Sequence, residues 1–151
     1  MTALRLRRKA GAYHLEGYSA TLRTGGSMRR GEIRTGAGGF QLDVTDARRC
    51  GVVARIGGRP VLRLHPDGCQ LPGPGGPARW SPSRGGGVLV REGGRIEVHQ
   101  AGRPGAPVRV EVTGSWPELE LVALAACFAT LSRRRRRILL TVAILGATGN
   151  G

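Results

Sequence analysis

Apolar and polar positions alternate in short bursts from residue 13 to residue 112. Phe40, Leu42 and Val44 are interleaved with Gln41 and Asp43, and Val108, Val110 and Val112 with Arg109 and Glu111. A period of two sends one set of side chains to each face of a sheet, so both stretches read as strands buried on one side. Two hairpins stand out. Val52, Val53, Ala54, Arg55 and Ile56 lead through Gly57-Gly58 into Val61, Leu62 and Leu64, and residues 88–92 lead through Gly93-Gly94 into residues 95–100. A Gly-Gly pair reaches the positive backbone angles that a tight primed turn needs. In the second hairpin Ile96 and Val98 should face inward, and Arg95, Glu97 and His99 outward. Weaker strands are expected near residues 13–16, 19–24 and 32–35. Eight or more strands at this spacing predict an antiparallel barrel or sandwich rather than βαβ units. Residues 65–87 are rich in proline and glycine and predict a long loop, with Trp80 packing it onto the sheet.

The pattern changes after Thr113. Ser115 and Glu118 have the spacing of a capping box, with Pro117 in the first turn of the helix they announce. From Leu121 to Leu131 the chain is apolar on nearly every side, and a helix of that kind must be enclosed by protein or lipid. Eleven residues rise roughly 16 Å, about half of a hydrocarbon core of roughly 30 Å, which favours enclosure by protein. The expected helix spans about residues 116–132, with Leu119, Val122, Leu124, Ala126, Phe128 and Leu131 in its core. Arg133, Arg134, Arg135, Arg136 and Arg137 should then sit at its carboxyl end, where cations complement the exposed carbonyls. A second apolar run, residues 138–147, cannot join the first in one spanning helix, because the arginines would lie in mid-bilayer. It could lie in an interface, pack on a neighbouring barrel or continue the helix outward. The predicted fold is mainly β: an antiparallel β-barrel-like domain over residues 13–131 wrapped around one hydrophobic α-helix near the carboxyl terminus. A basic N-terminal arm (residues 1–12) would precede it, and an Arg-rich and apolar tail (133–151) would follow.

Glycine-punctuated strands ending in a single hydrophobic helix resemble the tubby C-terminal superfamily, and within it the LURP-one-related and phospholipid-scramblase-like proteins, including small actinobacterial members. The residues that carry the likeness are Val108, Arg109, Val110, Glu111 and Val112, the junction Gly114, Ser115, Trp116, Pro117 and Glu118, and the helix over residues 119–131. The resemblance implies a strand barrel around a central helix and a binding or membrane-associated role. Tubby proteins recognise phosphoinositides, and no residue of such a lipid site carries over to this chain. The tail over 133–151 is extra to the family pattern, and the clear strands are fewer than the twelve of a full barrel.

Charge sharpens the choice of partner. The 151 residues carry 24 basic and 10 acidic side chains, a formal charge of +14, and Lys9 is the sole lysine. Part of the arginine excess accompanies a general rise of Gly, Ala and Pro, as GC-rich coding sequence alone would produce. Two clusters exceed that background: Arg5, Arg7, Arg8 and Lys9 near the start, and Arg133 to Arg137. A domain this cationic attracts phosphate-bearing polymers and anionic lipid surfaces through long-range fields that salt weakens. Both clusters are candidates for anionic-surface binding. The alternative is phosphate-directed nucleic-acid binding. Aromatic content of 4% leaves few stacking platforms for single strands.

Catalysis is not expected. The acids are dispersed, and His14, His65 and His99 have no spacing that asks for a metal. Asp43 and Asp46 bracket a turn and are expected to cap it. Cys127 falls inside the apolar helix as a small core filler, and the scattered Cys50 and Cys69 complete no ligand motif. Residues 138–151 resemble the first strand and glycine turn of a dinucleotide site, but no helix follows to receive a pyrophosphate. No cofactor and no metal are therefore expected. Leu4 and Leu6 alternate with arginines where a secretory signal would be continuously apolar, so the expected location is cytoplasmic, peripheral at the inner face of the membrane.

Overall fold

The computed structural model describes residues 1–103 and 106–149, with side chains as far as Arg135. Seven strands run in succession: β1 (Thr2–Lys9), β2 (Ala12–Leu15), β3 (Thr21–Thr24), β4 (Arg30–Thr35), β5 (Gly38–Asp46), β6 (Gly51–Ile56) and β7 (Arg59–Leu64). After a long loop come β8 (Ala78–Ser83), β9 (Gly86–Arg91), β10 (Gly94–Gln100) and β11 (Val108–Thr113), and then the helix α1 (Leu119–Gly149). All eleven described strands join one sheet in the order β7-β6-β5-β4-β3-β2-β1-β11-β10-β9-β8. Every pairing is antiparallel, so the sheet is a meander whose first strand also meets its last. It curls into a nearly closed barrel around the start of α1.

Eleven strands explain the helix. A barrel of about eight strands is filled by its own side chains, whereas a wider can has room for a helix on its axis. From Leu121 to Leu131 each residue of α1 is at most 5% exposed, and the helix touches β3, β4, β5, β6, β7, β9 and β10. Ala123, Ala125, Ala126 and Ala129 keep the rod slim, while Leu124 and Phe128 fill the space towards the wall. Inward strand positions carry Leu6, Leu22, Ile33, Leu42, Leu89 and Val110, all buried. The expected core positions Val122, Leu124, Ala126, Phe128 and Leu131 are buried, and Leu119 packs half-buried against the cluster.

Several expectations need correction. The basic arm over residues 1–12 is a strand for most of its length: β1 pairs with β11 through Leu4↔Val110 and with β2 through Leu6↔Leu15. Its leucines alternate with arginines because one face lines the core. The loop expected over 65–87 contains β8, which carries Pro82. Proline is tolerated there because β8 is an edge strand with one neighbour. Trp80 lies in β8, 1% exposed, and its indole N–H donates to the Cys50 carbonyl at 3.0 Å, across the gap between the two ends of the sheet. Arg63 and Gln70 exchange two backbone hydrogen bonds of 2.8 Å, which lays the loop after β7 along the free edge of that strand. The capping box does not form. Glu118 takes a φ of +51° before the helix begins, and the entry is held instead by Trp116, whose indole N–H donates to Thr113 O at 2.9 Å. Finally, α1 does not end at the arginines. Arginine is a good helix former, and no Gly or Pro interrupts the chain between Leu119 and Leu145, so the helix continues to Gly149. The dinucleotide-like stretch is therefore helical as far as residue 149, and residues 150–151 lie outside the described residues.

Candidate anionic-surface site

Because neighbouring strands alternate in direction, one end of the barrel collects the ends of β1, β3, β5 and β10 and the starts of β2, β4, β6, β9 and β11. α1 enters at the opposite end and leaves through this mouth. Three consecutive residues tie it to the rim. The Ser132 hydroxyl donates to Met28 O at 2.8 Å, in the turn after β3. Arg133 reaches Ser83 O at 3.5 Å and Cys50 Sγ at 3.9 Å. Arg134 donates to Ala101 O at 2.7 Å, Gly102 O at 3.0 Å and Arg103 O at 2.8 Å. The guanidinium of Arg134 thus caps the loop after β10, and its positive charge stays at the mouth while most of its donors are engaged. Arg135 is exposed and makes no hydrogen bond or ion pair among the described residues. The side chains of Arg136 and Arg137 lie outside the described residues.

β1 delivers two residues of the other cluster to the same place. Arg7 and Arg8 join Arg134 and Arg135 around a concavity of about 540 Å³. Its wall is completed by Leu6, Tyr13, Met28, Gln100, Ala106, Pro107, Val108 and Leu131. Arg8 lies over the Tyr13 ring, 5.8 Å from its centre, and Arg7 pairs loosely with Glu16 at 3.5 Å, both largely exposed. Guanidinium groups therefore ring an apolar base, an arrangement suited to an anion attached to something less polar. Lys9 is exposed at the end of β1 and does not line the concavity. Arg5 is on the outer wall, opposite Arg109, which in turn lies opposite His99.

Gln100, Tyr13 and Met28 were not candidates from sequence. Gln100 alone had a legible signal: it follows Ile96 and Val98 at the inward positions of β10 and breaks their apolar run. The meeting of the two arginine clusters depends on β1 lying beside β11, which no local pattern encodes.

A second polar cluster lies at the end of β7. His65 is nearly buried; its Nε2 is 3.2 Å from Asp46 Oδ2, and its Nδ1 accepts the Asp67 backbone N–H at 3.1 Å. Asp67 is paired in bidentate fashion with Arg49 at 2.7 and 2.8 Å. The hydrogen bond from His65 holds the Asp46 carboxyl below the usual range, and Arg49 does the same for Asp67. Asp46 also accepts the Arg49 backbone N–H at 3.2 Å, so it caps its turn as expected. Asp43 does not; it pairs with Arg55 at 3.0 Å from within β5. The Cys69 thiol adds a 3.6 Å contact to the His65 carbonyl oxygen. The network fastens the turn after β5 to the loop after β7.

Among the described residues no group of three His, Cys, Asp or Glu side chains is placed to hold a metal ion. Cys127 is fully enclosed, and burial pushes its thiol up to about 12, far from the thiolate a nucleophile requires. No helix among the described residues is long and apolar enough to cross a membrane. The chain matches no family model, no curated protein and no solved structure.

Proposed function

We propose that this protein is a non-enzymatic binding module that associates with anionic phospholipid surfaces through the mouth of its barrel, at the inner face of the membrane. The observation that carries this reading is the convergence of Arg7, Arg8, Arg134 and Arg135 on one concavity, from segments more than a hundred residues apart. The resemblance to tubby-like and scramblase-like proteins supports the same class of role. A basic side chain near an anionic leaflet contributes about 1 kcal/mol. Four of them give roughly 4 kcal/mol, an attraction of about millimolar strength. Apolar contact from residues 138–147, on the same helix beyond the rim, would raise it.

Co-sedimentation with vesicles tests this. Binding should require anionic lipid, weaken with salt, and fall when Arg7, Arg8 and Arg135 are changed together to Gln. Removal of residues 138–151 should weaken it further while leaving the rim contacts of Arg133 and Arg134 in place. Equal pelleting with neutral vesicles sinks the reading. Binding to duplex nucleic acid with a steep salt slope, and none to vesicles, would favour the phosphate-directed alternative, for which the outer row Arg5, Arg109 and His99 offers a surface.

A further inference from the structure

We infer that the protein stands upright on an anionic bilayer, with the whole ring of turns at the mouth against the headgroups and α1 along the membrane normal. The inference rests on the anionic-surface reading and adds to it the extent and direction of the contact. It comes from how charge is divided between the two ends of the barrel. At the mouth, the turns β3–β4, β5–β6, β8–β9 and β10–β11 carry Arg29, Arg48, Arg49, Arg84 and Arg103 and no acid. β1 ends there on Lys9 as it enters its turn with β2. At the far end, the turns β2–β3, β4–β5, β6–β7 and β9–β10 and the junction before α1 carry Glu16, Glu92 and Glu118 and no basic residue. The loop that leaves the mouth after β7 brings its one acid, Asp67, onto Arg49. Lys9, Arg29, Arg48, Arg84 and Arg103 are exposed and have no acidic partner among the described residues.

These cations form a ring rather than a patch. In sheet order the turns come round the mouth as β5–β6, β3–β4, β1–β2, β10–β11 and β8–β9. The first and last of them meet where the Trp80 indole reaches the Cys50 carbonyl. Arg48 and Arg84 therefore stand on the side of the mouth away from β1 and from the concavity that Arg7 and Arg8 line. Only an anion that extends over the whole mouth neutralises both sides at once. α1 emerges within the ring, and its backbone stays helical to Gly149, which obstructs a stiff rod such as duplex nucleic acid lying across the mouth. A fluid lipid surface parts around a helix. The apolar run 138–147 rises roughly 15 Å, half of a hydrocarbon core of roughly 30 Å. An upright molecule seats that run in one leaflet and keeps the ring at the level of the negative surface potential.

Two double variants that lose the same charge test this by co-sedimentation with vesicles of phosphatidylcholine and phosphatidylglycerol. Full-length protein with Arg48→Gln and Arg84→Gln is compared with protein carrying Arg59→Gln and Arg79→Gln. Arg59 opens β7 and Arg79 lies near the start of β8, so both belong to the far half of the barrel, and all four side chains are exposed. A basic residue at an anionic leaflet is worth about fivefold in affinity, so the mouth pair should bind on the order of twentyfold more weakly. A six-residue strand spans roughly 20 Å against a Debye length of about 10 Å, so the far pair should stay within about twofold of the parent. Unchanged melting temperatures show that both variants are folded. Equal weakening by the two pairs overturns upright docking, because net charge alone is then sensed. Parent-like binding by the mouth pair also overturns it, by confining the contact to the concavity. Either result leaves the anionic-surface reading standing while the parent still requires phosphatidylglycerol. Duplex DNA bound as tightly as vesicles, and lost in the mouth pair, overturns the choice of a bilayer. The anionic-surface reading fails separately, if the parent binds phosphatidylcholine alone equally well.

Discussion

Replacing Phe128 by alanine tests the enclosure of the helix most directly. Phe128 is fully buried midway along the enclosed part of α1, and its ring lies against Gly31 of β4. A Cβ at Gly31 would stand 3.2 and 3.4 Å from two ring carbons and 3.0 Å from the Arg23 carbonyl oxygen, so the glycine forms the slot the ring occupies. Truncating a buried Phe costs about 3–5 kcal/mol from lost transfer energy and the cavity left behind. That is a large part of a total stability of roughly 5–15 kcal/mol. At roughly 2–4 °C per kcal/mol for a chain of this size, the melting temperature should fall by about 6–20 °C. Urea titration should show a lower midpoint with an unchanged slope. Gly31→Ala should by itself cost about 1–3 kcal/mol, through crowding against the ring and the backbone. In the double variant the new methyl enters the space the ring has left, so the combined cost should be smaller than the sum by at least about 0.5 kcal/mol. Strict additivity, or a loss below about 1 kcal/mol for Phe128→Ala, would refute a helix enclosed by this wall.

Cys127 should resist a thiol reagent in the native state and react only on unfolding, because its thiol is enclosed and pushed up to about 12; the half-exposed Cys69 should label first, as peptide mapping after a short pulse would show. The carboxyls of Asp46 and Asp67 are held below the ordinary value of 3.8 in the folded protein, so their contribution to stability is complete above that pH and is lost as pH falls through their folded values. Melting temperatures recorded downward from neutral pH should therefore decline less below pH 3.8 for Asp46→Asn than for the parent protein; parallel curves would contradict the role given to the His65 network. Gly87→Ala would drive a Cβ into the Trp80 indole, and should destabilise by about 1–3 kcal/mol, with a change in tryptophan fluorescence as the ring is displaced.

Much of the sheet is legible in the chain because antiparallel strands with one wet face write their geometry as alternation. β5, β10 and β11 are examples, while β6 and β7 are marked by the turn between them, where Gly57 and Gly58 both adopt the positive angles required, with φ of 56° and 81°. β1 is harder to see because its outward arginines draw attention to charge, though Leu4 and Leu6 keep the period. β8 is hidden by proline and glycine: Pro82 argues against any strand with two neighbours, and only the topology shows that β8 has one. Which of the alternatives for residues 138–147 holds, continuation of the helix, is hidden for an electrostatic reason. Five arginines suit a helix terminus, but they suit a helix interior equally well once the chain has left the core. The candidate site was half legible. Both basic clusters can be named from composition, but their meeting, and the buried amide of Gln100 between them and the loop after β10, arises from long-range pairing.

The pairing of β1 with β11 also has a consequence for how the molecule is made. β1 must wait for β11, about a hundred residues later in the chain, and the rod that fills the interior follows later still. Until then the inner wall, with Leu6, Leu22, Ile33 and Leu42 on it, has nothing to cover it. Non-local closure of this kind is slow and leaves sticky surface open in the meantime. A chain interrupted before Leu119 would therefore be an empty shell prone to clump, so synthesis must run into the helix before the strands have anything to fold around.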